Sequence, residues 1–163
     1  MMDKDNPNSK QEYELEYSQI TDNIYLGSDL CSPKVCKLHE PEFKKLGVTV
    51  EISLTAELKD TPTNNVAIYC WIPVEDKKAP SDDQFDFGTS VINEALLQKR
   101  KVYIHCRLGH GRSPIMLAAY FIRFQRMTSD EALKAIMEKR PEINPVKEQI
   151  EALNRYQRKL DAT

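Results

Sequence analysis

The chain has 163 residues, of which 40% are hydrophobic and 29% charged, and its formal net charge is -2 at pH 7. This balance is typical of one folded domain with a substantial core and excludes a chain that is disordered throughout. So small a net charge provides no global field that would attract nucleic acid or an anionic membrane, so any anion-binding site must be local.

Residues 1–16 are polar and contain Asn, Pro and Ser, which predicts a flexible lead-in to a folded domain over residues 17–161. The N-terminus lacks the apolar stretch of a signal peptide, and no segment approaches the ~18 consecutive apolar residues of a membrane span. We therefore expect a cytoplasmic protein with reduced thiols and no membrane span. Cys31 and Cys36 lack the second ligand pair of a zinc site, and we interpret them as packing residues.

The first half of the folded region predicts strands with one helix among them. YSQITDNIYLGS is typical of two short strands around a turn at Asp22 and Asn23. SPKVCKLHEPEFKKLG favours a helix that Pro41 interrupts and Gly47 ends. VTVEISLT and NVAIYCWIPV are β-branched and apolar, which predicts two buried strands separated by a loop.

The second half predicts one more buried strand, KVYIHC, among four helices. Ser81 is the expected N-cap of the first helix, and Asn144 that of the last. Between them, TSDEALKAIMEKR predicts a helix that is capped at residues 128–130. SPIMLAAYFIRFQ is apolar nearly all round, so we expect it to be the buried helix. Together these elements predict an α/β fold with a central, mostly parallel sheet flanked by helices.

The 107–111 loop joins the last predicted strand to the buried helix, at the position where open α/β sheets bind ligands. Cys106 precedes this loop and Arg112 follows it. Glycines let the backbone curl tightly with several N–H groups pointing inward, and the helix dipole adds partial positive charge. This predicts a cradle for a tetrahedral dianion, in which Arg112 contacts two oxygens. The predicted substrate-binding residues are Arg107, Leu108, Gly109, His110, Gly111 and Arg112.

The same positive field acts on the thiol of Cys106. Because a cysteine pKa of ~8.5 falls to about 3.5–7.5 at a helix N-terminus beside cationic groups, we expect a thiolate. It would attack phosphorus in line and form a phosphocysteine, without a metal or cofactor. Ser113 is placed to hydrogen-bond the sulfur and stabilise it as a leaving group. His105 is expected to support the loop, whereas Arg107 and His110 either strengthen the positive field or face solvent.

A leaving alcohol needs a proton, so a general acid is expected elsewhere in the chain. The segment IPVEDKKAPSDDQF offers four carboxylates. Asp82 and Asp83 lie at the expected start of a helix, where capping explains them. Asp76 lies in the loop immediately after the strand of residues 66–74, from which it can reach across the mouth of the cradle. We therefore predict Asp76 as the acid, with Glu75 as the nearest alternative.

The stretch VYIHCRLGHGRSPIMLAAYFI resembles the signature of cysteine-dependent phosphatases, in which five residues separate His-Cys from Arg and Ser or Thr. The RSP ending and the small size of the chain resemble the dual-specificity branch. ITDNIYLGS, LGVTVEISLT, IPVEDKKAPSDDQF and EALKAIMEKRPEINP are similar to that branch's opening strands, next strand, acid loop and helical tail. The similarity covers most of residues 17–160.

This resemblance implies one catalytic domain with the cysteine-phosphatase fold, in which a phosphate loop lies between a central strand and a buried helix. It implies that Cys106 is the nucleophile and Arg112 the clamp on the phosphate and the transition state. Asp76 would be the acid and later the base. The mechanism that it implies is free of metal.

We expect a protein-tyrosine or dual-specificity phosphatase whose partners are phosphoproteins. The basic residues Arg107 and His110 resemble the loops of family members that act on phosphoinositides or phosphatidylglycerol phosphate. A phospholipid, phosphoinositide or RNA 5′-phosphatase, acting on phosphorylated lipids or other small molecules, is therefore an alternative. An inactive phosphate-binding module is a further one. We expect a monomer that does not bind nucleic acid.

Overall fold

The computed structural model describes residues 16–29, 39–59 and 61–163, which form five strands and five helices. The predicted lead-in lies outside these residues except for Glu16, and so do Cys31 and Cys36. The strands are β1 Tyr17–Thr21, β2 Ile24–Ser28, β3 Val48–Thr55, β4 Ile68–Val74 and β5 Lys101–Cys106. The helices are α1 His39–Leu46, α2 Asp82–Leu97, α3 Arg112–Gln125, α4 Ser129–Lys139 and α5 Lys147–Asp161.

The strands form one sheet in the order β1-β2-β5-β3-β4, so β5 is its central strand. β2 pairs in parallel with β5, β5 with β3 and β3 with β4, whereas β1 runs antiparallel to β2. This arrangement confirms the predicted central, mostly parallel sheet. The carboxyl ends of β3, β4 and β5 consequently meet at one edge of the sheet, where ligands bind in open α/β folds.

The side chains of β5 alternate between two cores, one on each face of the sheet. Val102 and Ile104 pack with residues of α2 to α5, whereas Tyr103 packs with Phe43 of α1. On the larger face α3 is the central helix, and all its residues from 112 to 122 are buried. The predicted buried helix is therefore confirmed, and its N-terminus lies just beyond the end of β5. In the part of the chain that the structure describes, no helix has the length and apolar character to cross a membrane.

Two of the three predicted helix caps are confirmed. Ser81 caps α2 and Thr128 caps α4, and in both helices the third residue bonds back to the cap. The predicted cap at Asn144 is wrong, because the N-cap of α5 is Val146. The backbone N–H of Asn144 instead donates to the carbonyl of His110 at 2.7 Å, which ties this residue to the loop between β5 and α3.

Helix α1 is the part of the predicted first helix that the structure describes. Pro41 lies in its first turn, where a proline removes no hydrogen bond within the helix, so it does not interrupt α1. Gly47 follows the last helical residue with a φ of 77°, a left-handed conformation that favours glycine. The helix therefore ends where the sequence predicts.

The central position of α3 predicts that Leu→Ala destabilises the protein far more in α3 than at the end of α2. Leu117 is fully buried in α3, whereas Leu97 at the end of α2 is 70% exposed. We expect Leu117→Ala to lower the free energy of unfolding by about 2–5 kcal/mol because it leaves a cavity. Leu97→Ala is the matched control and should change it by less than about 0.5 kcal/mol. Urea denaturation measures both, and equal effects would contradict the central position of α3.

Candidate active site

The 107–111 loop is packed against the end of β2. Gly109 has a φ of 72°, and a Cβ added there would lie 2.5 Å from the carbonyl oxygen of Gly27. The backbone N–H of Asp29 donates to the carbonyl of Arg107 at 3.0 Å. A side chain at position 109 would therefore push the loop away from β2, so glycine is required there for both its conformation and its size.

Arg140 braces the same loop from the other side. Its guanidinium is buried and donates to the carbonyls of Leu108 and Gly109 at 2.9 and 3.0 Å, and to the hydroxyl of Ser18 at 3.2 Å. Since the N–H of a trans peptide points away from its carbonyl, turning these carbonyls towards Arg140 turns the attached N–H groups the other way. The backbone N–H of Gly109 indeed bonds to the sulfur of Cys106.

Cys106 lies at the end of β5 with only 3% of its surface exposed. Its Sγ is 3.2 Å from the Oγ of Ser113. Burial opposes ionisation of the thiol, but the side-chain and backbone hydrogen bonds of Ser113 and the charge of Arg112 favour the thiolate. With the N–H of Gly109 added, the pKa of Cys106 falls below its ordinary value.

Arg112, the first residue of α3, is held by the neighbouring strand ends. Nη1 and Nη2 donate to the two carboxylate oxygens of Glu57, both at 2.7 Å, and Nη1 also donates to the carbonyl of Val74 at 2.7 Å. Burial acts to lower the pKa of Arg112, yet its bonds to Glu57 and the nearby charge of Cys106 raise it above the ordinary value. Of the five guanidinium N–H groups, Nε–H and one on Nη2 make no hydrogen bond to the residues that the structure describes and can bind an anion.

Glu57 was missed in the sequence analysis. Its hydrogen bonds to Arg112 lower the pKa of the carboxyl, although partial burial acts in the opposite direction. A bidentate pair of this kind fixes the plane of the guanidinium. One signal was available: Glu57 follows β3, and the carboxyl ends of neighbouring parallel strands share an edge with β5.

Among the four candidate acids, Asp76 lies beside Arg112. Its Oδ1 is 3.7 Å from Nη2 of Arg112 and accepts a hydrogen bond from the backbone N–H of Lys77 at 3.0 Å. The Asp76 side chain is 71% exposed, so it meets solvent and an incoming substrate. Asp82 and Asp83 are the first residues of α2 and suit the positive end of its dipole. Glu75 is exposed.

These groups surround a cavity of about 410 Å³ at the carboxyl edge of the sheet. The residues that line it are Glu57, Asp76, Lys77, Cys106, Arg107, Leu108, His110, Gly111, Arg112, Asn144, Val146 and Gln149. Of the predicted binding residues, all except Gly109 contribute to the wall. Neither Glu75 nor Asp82 or Asp83 is among the lining residues. The cavity therefore brings the predicted thiol, guanidinium and carboxylate together.

His105 lies behind the cavity, in the central strand. It is 1% exposed, and its Nε2 is 2.8 Å from Oε1 of Glu51, which is itself 3% exposed on β3. Next to this pair, the hydroxyl of Tyr103 donates to the carbonyl of Ser28 at 2.7 Å. These contacts join β2, β3 and β5 below the 107–111 loop.

Comparison with known proteins assigns the family. The profile described as "Dual specificity phosphatase, catalytic domain" matches residues 24–159. The chain belongs to this family. The tyrosine-protein phosphatase vhp-1 of Caenorhabditis elegans is 31% identical over 128 residues, which are 77% of this chain and 19% of vhp-1. The family membership and fold that the sequence predicts are thus confirmed.

Two further similarities extend the comparison. The mouse protein named phosphatidylglycerophosphatase and protein-tyrosine phosphatase 1 is 36% identical over 61 residues, which are 37% of this chain and 32% of that protein. The crystal structure of human DUSP28 superposes with a TM-score of 0.78 at 18% identity and covers 89% of this chain and 98% of that one, which establishes a shared fold. The chain spans about a fifth of vhp-1 and a third of the mouse protein.

The site of this dual-specificity phosphatase family member makes a prediction about thiol acidity. Ser113→Ala removes the hydrogen bond at 3.2 Å that favours the Cys106 thiolate, so the pKa of Cys106 should rise. The pH dependence of alkylation by iodoacetamide measures this pKa, because only the thiolate reacts. We expect the midpoint to move to higher pH in Ser113→Ala and to stay near the wild-type value in Ser113→Thr, which keeps the hydroxyl. An unchanged midpoint in Ser113→Ala would contradict this assignment.

Proposed function

We propose that this protein is a protein-tyrosine and dual-specificity phosphatase that acts through a phosphocysteine on Cys106. The observation that carries the proposal is the buried Cys106 thiol, whose pKa is lowered and which shares one cavity with the Arg112 guanidinium and the Asp76 carboxylate. Membership of the dual-specificity phosphatase family supports it. The catalytic domain would span residues 17–161. A thiolate nucleophile persists in a reducing compartment, which favours the cytoplasm.

In the first proposed step, the Cys106 thiolate attacks phosphorus in line. A sulfur–phosphorus bond forms while the bond from phosphorus to the leaving oxygen breaks. The N–H groups of the 107–111 loop and the free Nε–H and Nη2–H of Arg112 bind the non-bridging oxygens. Asp76, at the mouth of the cavity, donates its proton to the leaving oxygen, which departs as an alcohol or phenol.

In the second proposed step, water attacks the phosphocysteine. Asp76, now a carboxylate, accepts a proton from the water as the new oxygen–phosphorus bond forms. The sulfur–phosphorus bond breaks, and the sulfur leaves as a thiolate that the Ser113 hydroxyl stabilises, with the two atoms 3.2 Å apart. Inorganic phosphate is released, and the free enzyme is restored.

A phosphoinositide or other phospholipid is the second candidate substrate. Arg107, His110 and Lys77 line the cavity around the scissile position, so a substrate with a further anionic group would meet positive charge there. The name of the similar mouse protein joins a phosphatidylglycerophosphatase to a protein-tyrosine phosphatase, which favours the same alternative.

The catalytic assignment predicts different effects for three substitutions. We expect Cys106→Ser to abolish turnover of an aryl phosphate, because the hydroxyl is a far weaker nucleophile. Asp76→Ala should lower kcat/KM by about 10²–10⁴, mainly for substrates with poor leaving groups. Glu75→Ala is the matched control, since Glu75 is exposed and does not line the cavity.

Steady-state kinetics on phenyl phosphate and on a fluorinated aryl phosphate measure these effects. Activity that survives Cys106→Ser would overturn the phosphocysteine mechanism. A loss in Glu75→Ala without one in Asp76→Ala would move the acid to Glu75. No turnover by the wild-type protein on any phosphomonoester would favour the inactive phosphate-binding module.

The two substrate classes are separated by a panel of phosphotyrosine peptides, phosphothreonine peptides and soluble phosphoinositides. We expect kcat/KM to be highest on phosphotyrosine peptides. Arg107→Ala should lower kcat/KM for phosphoinositides by more than it does for a peptide that lacks other acidic residues, because only the former present a second phosphate. A preference for phosphoinositides of more than about tenfold, equivalent to 1.4 kcal/mol, would overturn the protein substrate.

A further inference from the structure

The 75–80 loop, which carries Asp76, is held by contacts that lie on either side of the carboxylate. Within the loop, the backbone N–H of Lys78 donates to the carbonyl of Glu75 at 3.0 Å. The backbone N–H of Lys77 donates to Oδ1 of the Asp76 side chain. These bonds shape the turn but do not attach it to the cavity. Two residues before Asp76, the carbonyl of Val74 accepts the bond from Arg112, and this contact fixes the start of the loop.

The second attachment comes from Gln149, the third residue of α5. Its Nε2 donates to the carbonyl of Lys78 at 2.9 Å, two residues after Asp76. Its Oε1 accepts the backbone N–H of Val146 at 3.0 Å. The side chain is 2% exposed and also abuts the 107–111 loop, since a Cβ added to Gly111 would lie 2.9 Å from Oε1. The amide is thus fixed by its own helix while it contacts both loops.

We propose that Gln149 is a positioning residue that holds the 75–80 loop over the 107–111 loop, so that Asp76 stays within reach of the leaving oxygen. This inference rests on the proposed role of Asp76 as general acid. The carboxylate is 71% exposed and lies 3.7 Å from Nη2 of Arg112, so its place depends largely on the backbone that carries it. Hydrogen bonds from Arg112 to the carbonyl of Val74 and from Gln149 to that of Lys78 hold this backbone on both sides of Asp76.

A surface ion pair near this contact provides a matched control. The ammonium of Lys78 lies 3.2 Å from Oε2 of Glu148, and the two side chains are 57% and 53% exposed. Exposed pairs of this kind contribute little. Lys78→Met removes the ion pair but keeps the backbone carbonyl that Gln149 binds, so it separates the two contacts.

The test is the dependence of kcat/KM on the leaving group in Gln149→Leu, because kcat/KM reports the first step, in which the leaving group departs. We expect kcat/KM to fall about 10- to 100-fold on phenyl phosphate, because a small displacement of a catalytic group has effects of this size. On a fluorinated aryl phosphate, whose phenolate leaves without a proton, the loss should stay below about threefold. Lys78→Met should match the wild type on both substrates.

A double-variant cycle distinguishes positioning from a general loss of structure. In the Asp76→Ala background, Gln149→Leu should cause no further loss on phenyl phosphate, since the group that it positions is absent. An equal loss on both substrates, or a further loss in the Asp76→Ala background, would overturn the role of Gln149. If Asp76→Ala itself lowered kcat/KM equally on both substrates, the assignment of Asp76 as the general acid in the proposed function would be wrong as well.

A second variant covers the case in which Gln149→Leu does not fold, as judged by thermal denaturation. Gln149→Glu keeps an oxygen for the N–H of Val146 but loses the donor to Lys78. It should show the same selective loss on phenyl phosphate. If kcat/KM of a folded Gln149→Glu protein depended on the leaving group as it does in the wild type, the inference would be overturned.

Discussion

A buried guanidinium organises the catalytic edge of this fold. Arg112 is 2% exposed, and burying a charge is costly unless it is paired and hydrogen-bonded. Its partners come from the ends of two neighbouring parallel strands, Glu57 after β3 and Val74 at the end of β4. Arg112 itself opens the helix that follows β5. Satisfying this one side chain therefore fixes the relative positions of three strand ends, and the cavity lies between them.

The charges at this edge are only partly balanced, and that imbalance suits an anion. Arg112, the N-terminus of α3 and the buried Arg140 concentrate positive charge around the 107–111 loop. The Glu57 carboxylate offsets part of this positive charge. It binds one side of the Arg112 guanidinium, so the other side stays available to an anion. Burial opposes ionisation of Cys106, but the hydrogen bonds of Ser113 and the charge of Arg112 lower the pKa of its thiol. The charge of Arg112 therefore serves both the proposed binding of phosphate and the ionisation of the thiol.

Features that depend on residues close together in the chain could be predicted from the sequence, whereas contacts between distant residues could not. The strands, the buried helix and the loop from Cys106 to Arg112 depend on local pattern, and the structure agrees with the sequence there. Glu57 contacts Arg112 from 55 residues away and Arg140 contacts Gly109 from 31 residues away. The position of Glu57 after β3 is the one signal for these two contacts in the sequence. The cap at Asn144 was wrong for the same reason: its N–H bonds to His110, a tertiary contact that local capping rules do not contain.

Opposite degrees of burial suit the proposed nucleophile, Cys106, and the proposed general acid, Asp76. The sulfur needs a dry and fixed setting because hydrogen bonds and charges are stronger away from water. The Asp76 carboxylate, as the proposed general acid, would exchange protons with leaving groups and water, so exposure at the mouth serves it better. An exposed side chain on a turn would ordinarily lack a fixed position. Here the turn is held through its carbonyls by the buried side chains of Arg112 and Gln149, so Asp76 remains accessible while its backbone is held on both sides.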